Sequence, residues 1–278
     1  MNRKEIHRIL RRQMSDLDEL SRRVALEFKM EDIHHFRIGF KKLRAFLRLV
    51  TAGRKQAGPL LPVHLKTFYG YAGIIRNIQL HRHELFRYTG DEKLDPPANY
   101  LAVLDREESH WKTEAVALQA SLDQGDLEFL LKKAPDRLDR PVMRRFVETS
   151  RRKLRAALRD LPADEAIHAV RKTLKDFLYT HPYLEGNVSL PPVIADPERL
   201  KQLTDQAGVF MDHSLQSGFL QDANMQLLKE ESERIILGRF REFVRQQKQA
   251  LLGSLLPELG ELHESLTVKR TWEPCQIS

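Results

Sequence analysis

The chain has 278 residues and a formal net charge of +7 at pH 7, so a polyanionic partner is plausible. Hydrophobic residues make up 41% and charged residues 31%, which is typical of a globular protein and excludes a largely disordered one. A single cysteine, Cys275, excludes an intramolecular disulfide framework and a thiolate metal cluster. No signal-peptide core or membrane-spanning apolar run is found, so we expect a cytoplasmic protein that makes no membrane contact.

Apolar residues at helical spacing predict eight helices. In chain order they cover residues 4–30, 32–51, 62–88, 98–120, 141–160, 164–180, 197–216 and 219–256. Proline- and glycine-rich segments separate them, and no stretch has the alternation and turn residues of a β-hairpin. The nearest candidate for a strand, residues 187–194, contains two prolines and is predicted to be a loop. The pattern indicates an all-α helical bundle.

The second predicted helix has a basic face beside an apolar one. At about 100° per residue, five side chains fall within an arc of roughly 80°. This basic ridge consists of His34, Arg37, Lys41, Arg44 and Arg48. Residues 33–87 contain eleven lysines and arginines but one acid, Glu84. Like charges repel at this spacing, so we interpret the ridge as an anion-binding surface. The alternative is a solvated helix face.

Two motifs recur in the same order. The pattern I-H-x-x-R-x-x-x-K begins at Ile33 and again at Ile167, an offset of 134 residues. The pattern L-K, followed by A-G, begins at Leu65 and again at Leu200, an offset of 135. Their common order and offset predict an internal duplication, with repeats over 1–139 and 140–278 related by a pseudo-twofold axis.

These paired motifs resemble the CHAD family, the conserved-histidine α-helical domain, over nearly the whole chain. The resemblance implies two similar four-helix bundles and non-catalytic binding of inorganic polyphosphate on a positive surface between them. It is also compatible with association with polyphosphate granules. Matched residue by residue, the family's basic surface corresponds to His34, Arg37, Lys41 and Arg44 in the first repeat and to His168, Arg171 and Lys175 in the second.

The second repeat departs from the basic pattern. At the positions equivalent to Lys42, Arg44 and Arg48 it has Asp176, Leu178 and Pro182. Its basic ridge therefore stops after Lys175, and we expect the N-terminal half to contribute more of the anion affinity. The histidines, His34 and His168, are left open between contact with phosphate and structural packing.

Three further arginines are candidate contacts. Arg76 follows Gly73, whose small size permits close helix packing next to the ridge. Arg151 and Arg155 share one face of the predicted helix 141–160, for which the alternative is an exposed face. Neighbouring histidines at positions 81 and 83 point about 200° apart on a helix, so no metal site is predicted there.

Other function classes have weaker support. An RNA- or DNA-binding protein could use the same surface, since phosphate contacts dominate affinity for either polymer. However, Phe36 and Phe40 lie on the apolar stripe, so no base-stacking platform is predicted. An enzyme acting on phosphoanhydrides would need metal-binding carboxylates or a nucleophile, and we find no such motif and predict no cofactor. A protein scaffold is the last alternative; preferred polymer length and oligomeric state are left open.

Overall fold

The computed structural model describes residues 1–54, 61–119, 125–221, 228 and 230–267, so Cys275 and part of the predicted helix 219–256 lie outside the described residues. Within those ranges the protein is all α-helical, which confirms the predicted fold class. The helices are α1 (Arg3–Glu27), α2 (Met30–Val50), α3 (Val63–Asp91), α4 (Ala98–Gln119), α5 (Gly125–Lys133), α6 (Arg140–Arg159), α7 (Asp164–Leu184), α8 (Pro192–Ala195), α9 (Pro197–Phe219) and α10 (Glu231–Thr267).

Two of these helices were not predicted. Helix α5 has nine residues and α8 has four, so neither is long enough to establish a helical period in the sequence. Helix α8 begins inside the segment 187–194, which we predicted to be a loop, and ends one residue beyond it. That prediction was wrong at its C-terminal end, where Pro192 occupies the first helical position, a place that suits proline.

Two helix ends were predicted too early because of proline. Helix α7 continues through Pro182 to Leu184, which is completely buried, and α10 continues through Pro257. Beyond Pro257, the leucines at 259, 262 and 266 keep the helical spacing and are buried. Tertiary packing of these residues offsets the hydrogen bond that each proline removes.

The corner between α1 and α2 is formed by a residue in the left-handed conformation. Phe28 has φ 52°, and its ring is buried. A left-handed backbone ends a helix, so the chain reverses there and α2 packs against α1. From α3, the Gln79 side chain donates a hydrogen bond of 3.0 Å to the Phe28 carbonyl oxygen, which ties α3 to the same corner.

A single main hydrophobic core includes side chains from both predicted repeats. Its largest fully buried members are phenylalanines at 36, 40 and 46 in α2, 68 in α3, 177 in α7 and 210 in α9. The whole apolar stripe of α2, from Ile33 to Val50, is buried as expected. A second cluster joins parts of α3, α4 and α10 around Phe240. The internal duplication and its pseudo-twofold axis stay a prediction.

Candidate functional site

Basic residues of the two predicted repeats meet where α2 packs against α7, with α3 and α9 alongside. Each pKa perturbation in this region is caused in part by positive charges on a neighbouring helix. We define the cationic cluster as His34, Arg37, Lys41, Arg44, Arg76, His168, Arg171, Lys172 and Lys175. Eight of these nine residues were candidates from the sequence.

Two arginines of the cluster pack against glycines. Arg37 donates from Nη1 to the main-chain oxygen of Tyr69 at 3.1 Å, and its guanidinium lies 4.5 Å from the centre of the Tyr69 ring. The same Nη1 leaves no space for a Cβ atom at Gly73. In α9, a Cβ at Gly208 would lie 3.2 Å from Nη2 of Arg171. The glycine of each A-G motif therefore makes room for the arginine of the paired motif.

Lys41 lies among cations and is partly buried. Burial, followed by the charges of Arg37, Arg171, Arg44 and Lys175, lowers its pKa to about 7. The largest charge effects on Lys41 all come from cations, while the carboxyl of Asp212 in α9 also interacts with its amine. Near neutral pH the amine of Lys41 is therefore charged in only part of the molecules, and an anion close to it would favour the charged form.

Arg44 and Arg171 each have a buried Nε atom without a hydrogen-bond partner in the described part of the chain. A buried polar group that lacks a partner destabilises a protein by about 1–3 kcal/mol, and by more when it is charged. A guanidinium binds phosphate through two parallel N–H bonds. Phosphate oxygens are thus the chemical complement of these two side chains.

Other cations already have partners. Arg48, a candidate from the basic ridge, forms an ion pair with Asp176 of α7, the residue that replaces Lys42 in the second repeat. Lys175 is 3.1 Å from Oδ1 of Asp205. Arg76 donates a 3.0 Å hydrogen bond to the main-chain oxygen of Met30. These three side chains are less available to an external anion than Lys41 or Arg44.

The structure does not bring Arg151 into the cluster. It donates to Oε1 of Glu148 at 3.1 Å and to the main-chain oxygen of Leu266 at 3.3 Å, on the face of α6 that meets α10. Arg155 follows one turn later on the same face of α6. The α6 residue whose charge lowers the pKa of Lys172 is Lys153, which points in a different direction.

Both motif histidines, His34 and His168, are exposed rather than packed in the core. Partial burial lowers the pKa of each imidazole, and neighbouring cations lower it further. For His34 the main charge is that of Arg76, and for His168 it is that of Lys172. Both rings are therefore mainly neutral at pH 7 and each can donate one N–H bond. Contact with phosphate stays a prediction.

Sequence reasoning missed several residues at the site. Lys172 directly follows Arg171, but it has no basic counterpart in the repeat pattern. Tyr179 has its pKa raised by burial, against the effect of the Arg171 charge. Burial also raises the pKa of Asp212, although Arg171 and Arg76 oppose the shift. Lys172 and Tyr179 lie on α7 with Arg171 but outside the repeated motif, whereas Asp212 reaches the cluster only because α9 packs against α7.

His81 and His83, which the sequence analysis considered as a pair, lie in different environments. His81 is buried, with Nε2 2.8 Å from the hydroxyl of Tyr100, while His83 is exposed. Across the described ranges, no group of three histidine, cysteine or acidic side chains is arranged to hold a metal ion. The helices described are all too short or too polar to cross a membrane.

The described residues form an all-α protein in which α2 and α7 bring basic side chains together. The model of the CHAD domain matches residues 8–221, and the chain therefore belongs to the CHAD domain family. Among solved structures, it is similar to the crystal structure of the CHAD domain from the plant Ricinus communis, with a TM-score of 0.67 and 16% sequence identity. That match covers 97% of this chain and 93% of the plant chain, and at this identity it shows the fold alone. No curated protein sequence matches the chain.

Proposed function

We propose that the protein binds inorganic polyphosphate through the cationic cluster without catalysing a reaction. The observation that carries this proposal is the meeting of Lys41, Arg44 and Arg171 from two helices. Each faces other cations, and the two arginines have buried N–H groups that need an acceptor. A linear phosphate polymer carries a negative charge on each unit, so one chain can contact all three.

Polyphosphate suits this cluster better than a nucleic acid does. Single-stranded RNA and DNA are bound largely by stacking their bases on exposed aromatic rings. At the cluster, the Tyr69 ring stacks on Phe40 with centroids 4.1 Å apart and is covered by Arg37. Phe36 and Phe40 are buried. These rings are already in contact with the protein, so base stacking is not favoured.

We extend the proposal to association with polyphosphate granules in the cytoplasm. A protein that holds the polymer without cleaving it would accumulate wherever the polymer is stored. Nucleic acid on the same surface is the second candidate, because phosphate contacts with lysine and arginine give affinity for any polyanion.

The test is a competition titration of the purified protein at physiological salt. Long-chain polyphosphate competes against single-stranded RNA, with duplex DNA as the control, and affinities are compared per phosphate. We expect polyphosphate to bind more tightly by at least two orders of magnitude. Equal competition by RNA would show that the cluster is a general polyanion surface and would contradict the proposal.

A triple variant tests the site itself. Lys41→Met, Arg44→Gln and Arg171→Gln together remove three charge-assisted contacts of roughly 1.5–3 kcal/mol each. We expect at least a hundredfold loss of polyphosphate affinity and a smaller salt dependence. The matched control removes three exposed charges with Lys4→Met, Lys42→Met and Lys132→Met. An equal loss in the control would assign the binding to net charge and not to the cluster.

A further inference from the structure

Helix α6 carries a surplus of positive charge outside the cationic cluster. It contains eight arginines and lysines and one acid, Glu148, which pairs with Arg151 at 3.1 Å. Arg151 also donates to α10, whereas Arg145, Arg152 and Lys153 are exposed on the outer side of the helix. Within the described ranges these three cations form no ion pair, so their charge is available to an external anion.

The outer side of α6 borders the end of α2. A Cβ atom at Gly53 would lie 3.0 Å from Cγ2 of Val142, and Nη1 of Arg145 donates a 3.1 Å hydrogen bond to the main-chain oxygen of Gly53. At about 100° per residue, Thr149 and Lys153 lie within about 20° of Val142 around the helix. Arg145 and Lys153 are therefore on the side of α6 next to α2, about 12 Å apart along the helix axis.

This side of α6 continues the cationic cluster. Helix α6 packs against both α2 and α7, which carry most of the cluster. Burial lowers the pKa of Lys172, an exposed member of the cluster, and the charges of Arg48, Arg44 and Lys153 lower it further. The acid at this junction, Asp176, opposes the shift, but it is buried and paired with Arg48. Positive charge therefore extends from the cluster through Lys172 onto α6.

We propose that the outer side of α6 binds a second segment of the same polyphosphate chain, so that the protein selects long polymers over short ones. We name this surface the α6 band and define it as Arg145, Thr149, Arg152 and Lys153, which share an arc of roughly 100°. The proposal rests on the proposed function of the cluster. It deepens that function by naming the length class of the ligand.

Only a long chain can contact both surfaces. Three phosphates are too short to occupy the cluster and also to follow the roughly 12 Å from Lys153 to Arg145. A longer chain held at the cluster keeps its free end close to the α6 band, so the second contact is intramolecular. Each exposed ion pair contributes little, but the contributions accumulate along a polymer whose every unit is charged.

The band suits a bare phosphate chain better than a single-stranded nucleic acid. Phe146, the aromatic residue of α6, is buried in the core. The exposed side of the helix therefore has no ring on which a base could stack. Thr149 accepts a 3.4 Å hydrogen bond from Nη2 of Arg152, and its own hydroxyl can donate to a phosphate oxygen.

The test titrates the full chain with tripolyphosphate and with long-chain polyphosphate over a range of salt concentrations. The band variant combines Arg145→Gln, Arg152→Gln and Lys153→Gln. We expect it to lower the affinity for the long chain about tenfold and the logarithmic salt slope by about 2, while the affinity for tripolyphosphate stays within about twofold. An equal loss for both lengths, or an unchanged affinity for the long chain, would overturn the proposal.

The matched control removes the same number of exposed charges far from α6. Lys93→Gln, Arg106→Gln and Arg234→Gln lie beside the second hydrophobic cluster, where α3, α4 and α10 meet. We expect the control to keep its affinity for the long chain. A loss equal to that of the band variant would assign the effect to net charge and overturn the proposal.

A smaller variant separates binding from packing. Because Arg145 also donates to Gly53, the double variant Arg152→Gln with Lys153→Gln keeps that hydrogen bond. It should lose at least threefold in affinity for the long chain and unfold at the wild-type urea midpoint. A loss that appears only together with a lower midpoint would overturn the proposal.

The two chain lengths distinguish this inference from the proposed function. If the triple variant of Lys41, Arg44 and Arg171 weakens both polymers but the band variant weakens neither, this inference alone fails. If the triple variant weakens neither polymer, the proposed site fails, whatever the band variant does. If the band variant weakens binding of single-stranded RNA and not of polyphosphate, the band serves nucleic acid and the inference is overturned.

Discussion

Replacing Lys41 by methionine should stabilise the protein while weakening polyphosphate binding. Methionine has a similar length and no charge, so it removes the unfavourable electrostatics and keeps most of the packing. The native pKa of Lys41 is about 7, whereas an unperturbed lysine titrates at 10.5. Below pH 7 both the folded and the unfolded states are protonated, and this difference corresponds to a destabilisation on the order of 5 kcal/mol by the wild-type amine.

The effect of Lys41 should depend on pH in a defined direction. Between pH 7 and 10.5 the unfolded chain binds more protons than the folded one, so stability of the wild type rises with pH. By pH 9 the destabilisation falls to roughly 2 kcal/mol, and it vanishes above pH 10.5. The gain from Lys41→Met should shrink accordingly, and this change with pH is independent of how well methionine packs.

The assay is urea unfolding followed by circular dichroism at pH 6 and pH 9. It compares the wild type, Lys41→Met and the exposed control Lys42→Met. We expect the unfolding midpoint of Lys41→Met to rise clearly at pH 6 and by less than half as much at pH 9, with no change in the control. A variant that is equally stable or less stable than the wild type at pH 6 would refute the description of Lys41 as a destabilised cation.

Further predictions concern the same surface. Polyphosphate binding at pH 8 should be accompanied by uptake of about one proton per protein, because the bound anion restores the positive charge of Lys41. Calorimetry in two buffers of different ionisation enthalpy measures this uptake, and Lys41→Met should abolish it. Asp205→Asn should raise polyphosphate affinity several-fold in a titration by releasing Lys175 from its ion pair, and an unchanged affinity would show that Lys175 lies outside the site. Gly73→Ala should destabilise the protein by roughly 1–3 kcal/mol more than Gly208→Ala, seen as a lower melting temperature, since an added methyl group overlaps the Arg37 guanidinium at Gly73 but only presses tightly against that of Arg171 at Gly208. Equal melting temperatures would contradict this reasoning.

Long helices with a clear apolar period could be predicted because burial enforces the period. In α2, every residue of the predicted stripe, such as Phe36 and Phe40, is buried. The short helices α5 and α8 could not be predicted, because they span too few turns to show a period. The reversal at Phe28 also carries no sequence signal, since a left-handed phenylalanine is held by its tertiary contacts.

The basic residues of the site could be predicted, but their partners could not. The ridge on α2 follows from spacing alone, whereas the partner of Arg48 is Asp176, 128 residues away. The role of Gly73 is also visible only in three dimensions, because it depends on where the Arg37 guanidinium lies. Arg37 is so enclosed by Gly73 and Tyr69 that a substitution by glutamate would disturb packing as well as charge, so Lys41 and Arg44 are better positions for testing the site.

The distribution of partners changes the expectation that the N-terminal half contributes most of the anion affinity. Arg48 belongs to that half, yet Asp176 compensates its charge, while Arg171 of the other half has a buried N–H group without a partner in the described part of the chain. The desolvation of an unpaired cation is already present in the free protein, so an anion that pairs with it gains most of the interaction energy. We therefore expect the contribution of each cation to anion affinity to depend on whether it already has a partner, and not on which repeat it belongs to. Substitution of Arg171 should weaken binding more than substitution of Arg48.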